Sequence, residues 1–192
     1  REARKELLAG LRAPRKFVPC VYLYDARGSE LFERITQLEE YYPPDKETPL
    51  LRQMARRMTG AWEGADIIEL GSGDCSKISA ILSAVTPEVR QTVRYVPIDV
   101  SRAAVEKSAS TLTTQFDGLR VHAMLADFRT GLSHLRRDRP RIFCFLGSTI
   151  GNMTRQEATE FLRGLSEEMA TGDSLLLGLD MVKDKNVLER AY

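Results

Sequence analysis

The stretch ELGSGDCSK, residues 69–77, decides how the rest of the chain is interpreted. It follows a short apolar run and precedes an amphipathic stretch, so we expect it to join a strand to a helix. Gly71 and Gly73 allow a tight backbone turn and a close approach of a ligand to the backbone. In an open parallel α/β sheet, the turns at the carboxyl ends of the strands form the binding crevice. The stretch therefore predicts a ligand-binding turn.

The same alternation of apolar runs and amphipathic stretches continues from Gly64 onward. The apolar runs are rich in Leu or β-branched residues and lie at residues 66–73, 93–100, 119–128, 141–149 and 173–180. The amphipathic stretches between them include residues 76–85, a helix capped by Ser101, and a helix with a capping box of Thr154 and Glu157. Alternating strands and helices predict right-handed βαβ units and a doubly wound parallel α/β sheet.

The first 60 residues lack this alternation. Helical spacing of apolar residues occurs at residues 29–39 and 48–58, on either side of two consecutive prolines, which are expected to break the pattern. We therefore divide the chain into a helical N-terminal segment at residues 1–60 and a sheet domain at residues 61–192.

The composition is that of a globular domain. The chain has 192 residues, 43% hydrophobic and 29% charged, with a net charge of +1. This balance gives no support for electrostatic binding of nucleic acid or of an anionic membrane. Basic residues gather at the N-terminus and at residues 136–141, where we expect solvated surface, with an RNA-facing patch as the alternative.

Three cysteines, Cys20, Cys75 and Cys144, are odd in number and show no CxxC spacing. They indicate reduced thiols and a cytoplasmic location rather than a disulfide framework or a metal site. No run approaches the ~20 apolar residues of a membrane span, and no signal-peptide pattern is present.

Two further strand ends carry side chains suited to a nucleoside. Asp99 ends the second run and can accept hydrogen bonds from both ribose hydroxyls; the alternative is a cap for the following helix, although Ser101 already offers one. Asp127 closes the third run, where it can accept from an adenine amino group while Phe128 packs beside the ring. Because the carboxyl ends of parallel strands meet at one edge, these residues are expected to converge with the glycine turn.

The glycine turn differs from a dinucleotide-binding motif. Ser76 stands where the G-x-G-x-x-G pattern has its last glycine, and Glu69 precedes the first glycine by two places. The turn resembles the first motif of the Rossmann-like class I methyltransferases, whose cofactor, S-adenosylmethionine, carries no phosphate. That resemblance implies a turn that cradles the methionine part and the ribose of the cofactor.

The fourth run ends in FLGSTIGNMT, residues 145–154. It lacks the Asn/Asp-Pro-Pro-aromatic signature of methyltransferases that act on nucleobase amines. Asn152 instead stands where it can face the acceptor, and the alternative is an ordinary loop asparagine before a helix.

Four longer motifs extend the resemblance to one family. They are YDARGSELFERITQLEEYYP (24–43), ELGSGDCSK (69–77), FLGSTIGN (145–152) and DSLLLGLDMVKD (173–184). Together they resemble the histidine-specific Nα-methyltransferases of ergothioneine biosynthesis, over residues 24–192. That family forms hercynine by placing three methyl groups on the α-amine of histidine, and related members methylate other aromatic amino acids, including tryptophan derivatives.

The resemblance implies roles for individual residues. Those implied to bind S-adenosylmethionine are Gly71, Gly73, Lys77, Asp99, Asp127 and Phe128. Those implied to bind the amino-acid substrate are Tyr24, Tyr41, Asn152 and Tyr192. Without the resemblance, the first two tyrosines would be interpreted as packing residues and Lys77 as a solvated lysine in the first helical turn. No catalytic side chain and no metal are expected, since alignment of two reactants supplies most of the rate.

The chain departs from the family in two ways. Members commonly continue the paired tyrosines as YYPTR, whereas here Pro43 is followed by Pro44 and Asp45, which leaves the choice of substrate open. The chain also stops at Tyr192, where the family continues into a C-terminal substrate domain. We therefore expect a sheet truncated after its fifth strand and a missing domain of the same protein as partner. The alternatives are another aromatic amino acid or RNA as acceptor, or an inactive cofactor-binding fragment.

Overall fold

The computed structural model describes residues 2–23 and 25–191. The strands are β1 (Asp66–Leu70), β2 (Arg94–Asp99), β3 (Arg120–Val121), β4 (Met124–Leu125), β5 (Arg141–Phe145) and β6 (Ser174–Leu177). The helices are α1 (Glu2–Arg12), α2 (Ala26–Ile35), α3 (Pro43–Arg57), α4 (Thr59–Trp62), α5 (Ser76–Ala84), α6 (Pro87–Thr92), α7 (Arg102–Gln115), α8 (Arg155–Glu168) and α9 (Lys185–Ala191). Across these ranges, no helix combines the length and the apolarity needed to cross a bilayer.

The strands form one parallel sheet in the order β3-β2-β1-β5-β6, and β4 also pairs with β2. The chain leaves β1 toward β2 and later returns to the other side of β1 as β5. The strand order therefore reverses between β1 and β5, and ligands bind at the carboxyl ends of strands at such a point. The predicted doubly wound parallel sheet is confirmed.

The prediction of one continuous strand over residues 119–128 was wrong. Two short strands, β3 and β4, pair with the two ends of β2 instead. On this side of β2, Tyr95 accepts a hydrogen bond from the backbone of His122, and Asp99 accepts one from Ala126. Pro97 lies between these acceptors and has no N–H to donate. The interruption therefore follows from the missing donor in the neighbouring strand.

The structure confirms the predicted first residues of the helices that follow the strands. Ser101 accepts a hydrogen bond from the Ala104 N–H at 3.3 Å at the start of α7. Thr154 and Glu157 form both hydrogen bonds of the capping box, at 3.2 and 2.7 Å, at the start of α8. Helix α5 begins at residue 76, as the spacing of apolar residues predicts.

The N-terminal segment is helical, with boundaries that differ from the prediction. Helix α2 begins at residue 26 rather than 29, because Asp25 accepts a hydrogen bond from the Gly28 N–H at 2.7 Å. Helix α3 begins at Pro43, five residues before the predicted start. The two prolines start this helix instead of breaking it, since the first helical turn does not use the N–H that proline lacks.

The core has two apolar layers, one on each face of the sheet. Ile67, Tyr95 and Ile142 pack on one face against helices α3, α4, α5 and α7. Ile68 and Phe143 pack on the other face, mainly against α8. All five residues of β1 are buried, which fixes this strand at the centre of the fold.

A buried ion pair joins β5 to the turn before β6. Arg141 donates from Nε to Asp173 at 2.9 Å, and the two side chains are 1% and 4% exposed. The guanidinium also lies 5.2 Å from the centroid of the Phe143 ring. The expectation of solvated surface was therefore wrong for Arg141, because its charge is neutralised inside the protein.

Replacing Asp173 by alanine is expected to lower the free energy of unfolding by about 3–5 kcal/mol, because Arg141 would stay buried without its counter-ion. Urea denaturation of the two proteins measures this loss. Asp138→Ala is the control, since Asp138 forms an exposed ion pair with Arg94 and its loss should matter much less. Equal losses in the two variants would contradict the assignment.

Candidate functional site

The glycine turn lies at the carboxyl end of β1, where the strand order reverses. Gly71 and Gly73 have φ angles of +79° and +48°, in the left-handed region that favours glycine. A Cβ at Gly73 would have no atom within 4 Å, and a Cβ at Gly71 would lie 3.7 Å from the ring of Phe128. The turn therefore leaves open space for a ligand and brings β1 beside the segment that follows β4.

Cys75 continues the turn in a left-handed conformation, with φ +57°. Its side chain is buried, and burial raises the pKa of the thiol to about 11. The thiol stays protonated at neutral pH and is no nucleophile. Asp74 stabilises the start of α5, because its carboxylate accepts hydrogen bonds from the backbone N–H and the hydroxyl of Ser76 at 3.1 and 2.8 Å.

Asp99 approaches the glycine turn from the end of β2. One carboxylate oxygen accepts from the Gly73 N–H at 3.3 Å, and the other accepts from the Ser101 N–H at 2.9 Å. The carboxylate thus supports the helix start, as the alternative interpretation held. It also lies at the glycine turn, which is the position that hydrogen bonds to ribose hydroxyls would require. The position of Asp99 is therefore compatible with both interpretations.

Phe128 and Asp127 lie at the end of β4 in different surroundings. The Phe128 ring packs 5.4 Å from the ring of Phe145 and 5.7 Å from that of Phe161. Asp127 accepts from Arg129 Nη2 at 2.6 Å and from its backbone N–H at 2.9 Å. Partial burial opposes ionisation, but these hydrogen bonds outweigh it and lower the pKa of Asp127. A ligand amino group would share this acceptor with Arg129, which the sequence pattern did not identify.

Glu69 lies beneath the turn, in the centre of the sheet. It is 3% exposed, and Tyr95 Oη donates to its carboxyl group at 2.5 Å. Burial raises the pKa of Glu69 to about 8, although the hydrogen bond from Tyr95 and the charge of Lys77 partly oppose this rise. Near neutral pH the group is therefore largely a neutral acid.

Lys77 spans the crevice between β1 and β5. It belongs to the first turn of α5, and its Nζ lies 3.2 Å from the position that a Cβ of Gly147 would take. Within the described part of the chain, no carboxylate lies within 4 Å of this ammonium group. A lysine that faces a binding crevice without a counter-ion is suited to an anionic group of a ligand.

The turn after β5 leads to Asn152. Gly147 and Ser148 have φ angles of +72° and +55°, and a 3-10 helix over Thr149–Asn152 follows. Asn152 is exposed, and its side chain forms no hydrogen bond with another described residue. The predicted substrate residue is therefore accessible at the carboxyl edge, near the end of β5.

The other predicted substrate residues are tyrosines. Tyr41 is half-buried and packs against Phe32 with 6.1 Å between ring centroids, as an edge-to-face pair. Tyr24 and Tyr192 lie outside the described residues, so their predicted roles stay predictions.

The N-terminal segment reaches the carboxyl edge of the sheet. Tyr42 Oη donates to Asp180, which follows β6, and Lys183 Nζ donates to Tyr42 Oη at 2.8 Å. Farther along the edge, Glu33 of α2 pairs with Lys107 of α7. The sequence motifs contain Tyr42 and Asp180, but nothing in the pattern shows that they meet.

Two cavities lie at the opposite edge of the sheet. One, of about 280 Å³, is lined by residues 137–141 and 170–173, and the other, of about 170 Å³, includes Asp66, His122 and His134. Asp66 begins β1, so this edge lies away from the glycine turn. Both histidines are exposed there, where they are too remote to act as a base at the turn. Among the described residues, no cluster of His, Cys, Asp or Glu is arranged to hold a metal ion.

Comparisons with known proteins find similar sequences. A family model described as histidine-specific methyltransferase, SAM-dependent, matches residues 3–192. The histidine N-alpha-methyltransferase of Mycobacterium tuberculosis is 39% identical over 98% of this chain and 59% of its own length. Ergothioneine biosynthesis protein 1 of Neurospora crassa is 33% identical over 91% of this chain and 20% of its own length. The chain thus spans about three fifths or less of these relatives.

A solved structure shows the same fold. The magnesium protoporphyrin IX methyltransferase of Synechocystis, with bound SAM, superposes with a TM-score of 0.53 at 14% identity, over 76% of this chain and 68% of its own. At this identity the likeness concerns the fold alone, which is that of the class I SAM-dependent methyltransferases.

The buried carboxyl group of Glu69 yields a prediction about pH. Folding raises its pKa above the ordinary value of about 4.3, so between these values the folded state binds more protons than the unfolded state. This residue should therefore lower the free energy of unfolding as the pH rises from about 5 to 8. Glu69→Gln, which keeps an acceptor for Tyr95, should gain stability relative to wild type over this range.

Urea denaturation of the ligand-free proteins at several pH values measures the difference. Every other titrating group is shared by the two proteins, so the difference isolates Glu69. Parallel stability profiles would show that its carboxyl group titrates normally.

Proposed function

This chain belongs to the family of histidine-specific, SAM-dependent methyltransferases, and on that premise we propose that the protein methylates the α-amine of L-histidine to form hercynine. The observation that carries the proposal is the meeting of Gly71, Gly73, Lys77, Asp99 and Phe128 at the carboxyl edge where the strand order reverses.

The residues at this edge fit S-adenosylmethionine. The open space beside Gly73 admits the ligand to the backbone, and Asp99 is at hand for the ribose hydroxyls. Phe128, which lies beside Gly71, would pack by the adenine, and Asp127 would offer an acceptor shared with Arg129. Lys77 would pair with the carboxylate of the methionine part. When bound, the cofactor supplies an electrophilic methyl group on a sulfonium.

The chain's own residues then act mainly by positioning. Asn152 and Tyr41 would orient the amino acid so that its amine faces the methyl group, and alignment of two reactants is worth about 7–11 kcal/mol. The amine must arrive unprotonated, and a desolvated site lowers its pKa. Glu69, held as a neutral acid by burial, adds little negative charge that would favour the protonated amine.

The N-terminal segment is proposed to form one wall of the substrate site. Its contacts support this role, because Tyr42 meets Asp180 beside the end of β6 and Glu47 meets Gly147 after β5. By resemblance, Tyr24 and Tyr192 would complete the contacts with the amino acid.

The greater length of the relatives supports a C-terminal substrate domain as the remaining partner. A cytoplasmic location is supported by three cysteines, Cys20, Cys75 and Cys144, that form no disulfide.

Methyl transfer from labelled S-adenosylmethionine tests the proposal. The complete reading frame that encodes this chain is assayed with histidine, with tryptophan and with RNA as acceptors. Label on histidine is expected, with hercynine identified by mass. Label on tryptophan or RNA alone would replace the proposed acceptor, and label on none would overturn the proposed activity.

Asp99→Ala is expected to weaken the binding of S-adenosylmethionine by at least about 10- to 100-fold, because a single hydrogen bond to a charged group is worth about 1.5–3 kcal/mol in net terms. Isothermal titration calorimetry measures the affinity. Asp117→Ala is the control, since Asp117 is an exposed aspartate after α7. Equal affinities in the Asp99 variant and the control would remove the ribose assignment.

Asn152→Ala is expected to raise the KM for the amino acid by about tenfold or more, while the Kd for S-adenosylmethionine stays within about twofold of wild type. The KM should change and the Kd should not, because the side chain of Asn152 is assigned to the amino-acid substrate alone. Steady-state kinetics and calorimetry provide the two numbers. A joint loss of cofactor affinity would contradict this role.

A further inference from the structure

The turn after β5 is held in an unfavourable conformation. Gly147 and Ser148 are both left-handed, with φ angles of +72° and +55°, and such a conformation costs about 1–3 kcal/mol for a residue other than glycine. It persists only when the surrounding structure fixes it. Two contacts do so: Glu47 accepts from the Gly147 N–H at 2.8 Å, and Ser148 Oγ accepts from the Asp180 N–H at 3.1 Å.

Glu47 reaches this turn from the second turn of α3, across 100 positions of sequence. Its carboxylate lies over Gly178, at the end of β6, where a Cβ would come within 2.2 Å of Glu47 Oε1. The same Cβ would lie 3.1 Å from the Cα of Leu146. Only a glycine at this position admits the carboxylate between the ends of β5 and β6.

The contact joins the two parts of the proposed substrate site. Tyr41 stands two residues before α3, the helix that carries Glu47, and Asn152 ends the 3-10 helix that follows the turn at Gly147. The ammonium group of Lys77 also approaches Gly147, and it lies 3.2 Å from the position that a Cβ of this glycine would take. Glu47 therefore fixes the distance between the N-terminal segment and the loop that bears Asn152, close to the cofactor side of the crevice.

We propose that Glu47 is a positioning residue of the methyltransferase site, which holds the Asn152 loop against the N-terminal segment through the Gly147 N–H. The inference rests on the proposed function and names a residue to which the sequence motifs give no role. A displacement of about 1 Å in a substrate-positioning group can cost about 100-fold in rate. Loss of this contact should therefore weaken the binding and alignment of the amino acid, although Glu47 does not touch the reacting atoms.

Kinetics of the complete reading frame, with histidine as acceptor, test the proposal. Glu47→Ala is expected to raise the KM for histidine by about tenfold or more and to leave the Kd for S-adenosylmethionine within about twofold. Glu47→Gln should restore the KM to within about threefold of wild type, because an amide oxygen also accepts from the Gly147 N–H. Gly178→Ala should reproduce the alanine phenotype, since its methyl group takes the space of the carboxylate.

Arg52→Ala is the matched control, because Arg52 is an exposed residue of the same helix. An unchanged KM in Glu47→Ala, equal losses of histidine and cofactor affinity, or a Gln variant as defective as the Ala variant would each overturn the proposal. If the Ala variant does not fold, Glu47→Asp is used instead, because its carboxylate is one methylene too short to reach the turn. The expected result is again a raised KM for histidine and an unchanged Kd for S-adenosylmethionine. Failure of wild type to methylate histidine would instead overturn the proposed function, so the two failures are distinct.

Discussion

The burial of β1 between two neighbouring strands is the constraint on which the rest of the structure depends. All five of its residues are buried, with β2 on one side and β5 on the other. A parallel strand held in this way must deliver its exit turn to the point where the strand order reverses. The glycine turn, the carboxylate of Asp99 and the turn at Gly147 meet there because the backbone hydrogen bonds of the sheet leave them no other place.

Some charged side chains at this edge are already paired within the chain, and others can still bind a charged group of a ligand. Asp127 is held by Arg129, and burial raises the pKa of Glu69 to about 8. Lys77 forms no ion pair within 4 Å with a carboxylate of the described chain. A site with few committed charges suits a zwitterionic cofactor and an amino acid, since each brings charged groups that need partners. The N-terminal segment contacts the same edge through Tyr42 and Glu47, and in the proposed site it would form one wall around the amine.

Local signals in the sequence predicted much of the fold. The capping box of Thr154, the cap at Ser101 and the glycine turn each act within a few residues, so their patterns are visible in the chain. The split of the third strand was missed because it depends on Pro97 in a neighbouring strand. The contact of Glu47 with Gly147 joins residues 100 positions apart. Such contacts follow from the packing of α3 on the sheet, which no local pattern specifies.

A crystal structure of the protein with S-adenosylhomocysteine and histidine tests the central claim most directly. S-adenosylhomocysteine is expected to lie on the glycine turn, with its ribose at Asp99, its adenine beside Phe128 and the carboxylate of its homocysteine part at Lys77. The α-amine of histidine should face the sulfur atom from the side of Asn152. A nucleoside bound at the amino edge of the sheet, or a glycine turn closed by its own side chains, would contradict the assignment of the site.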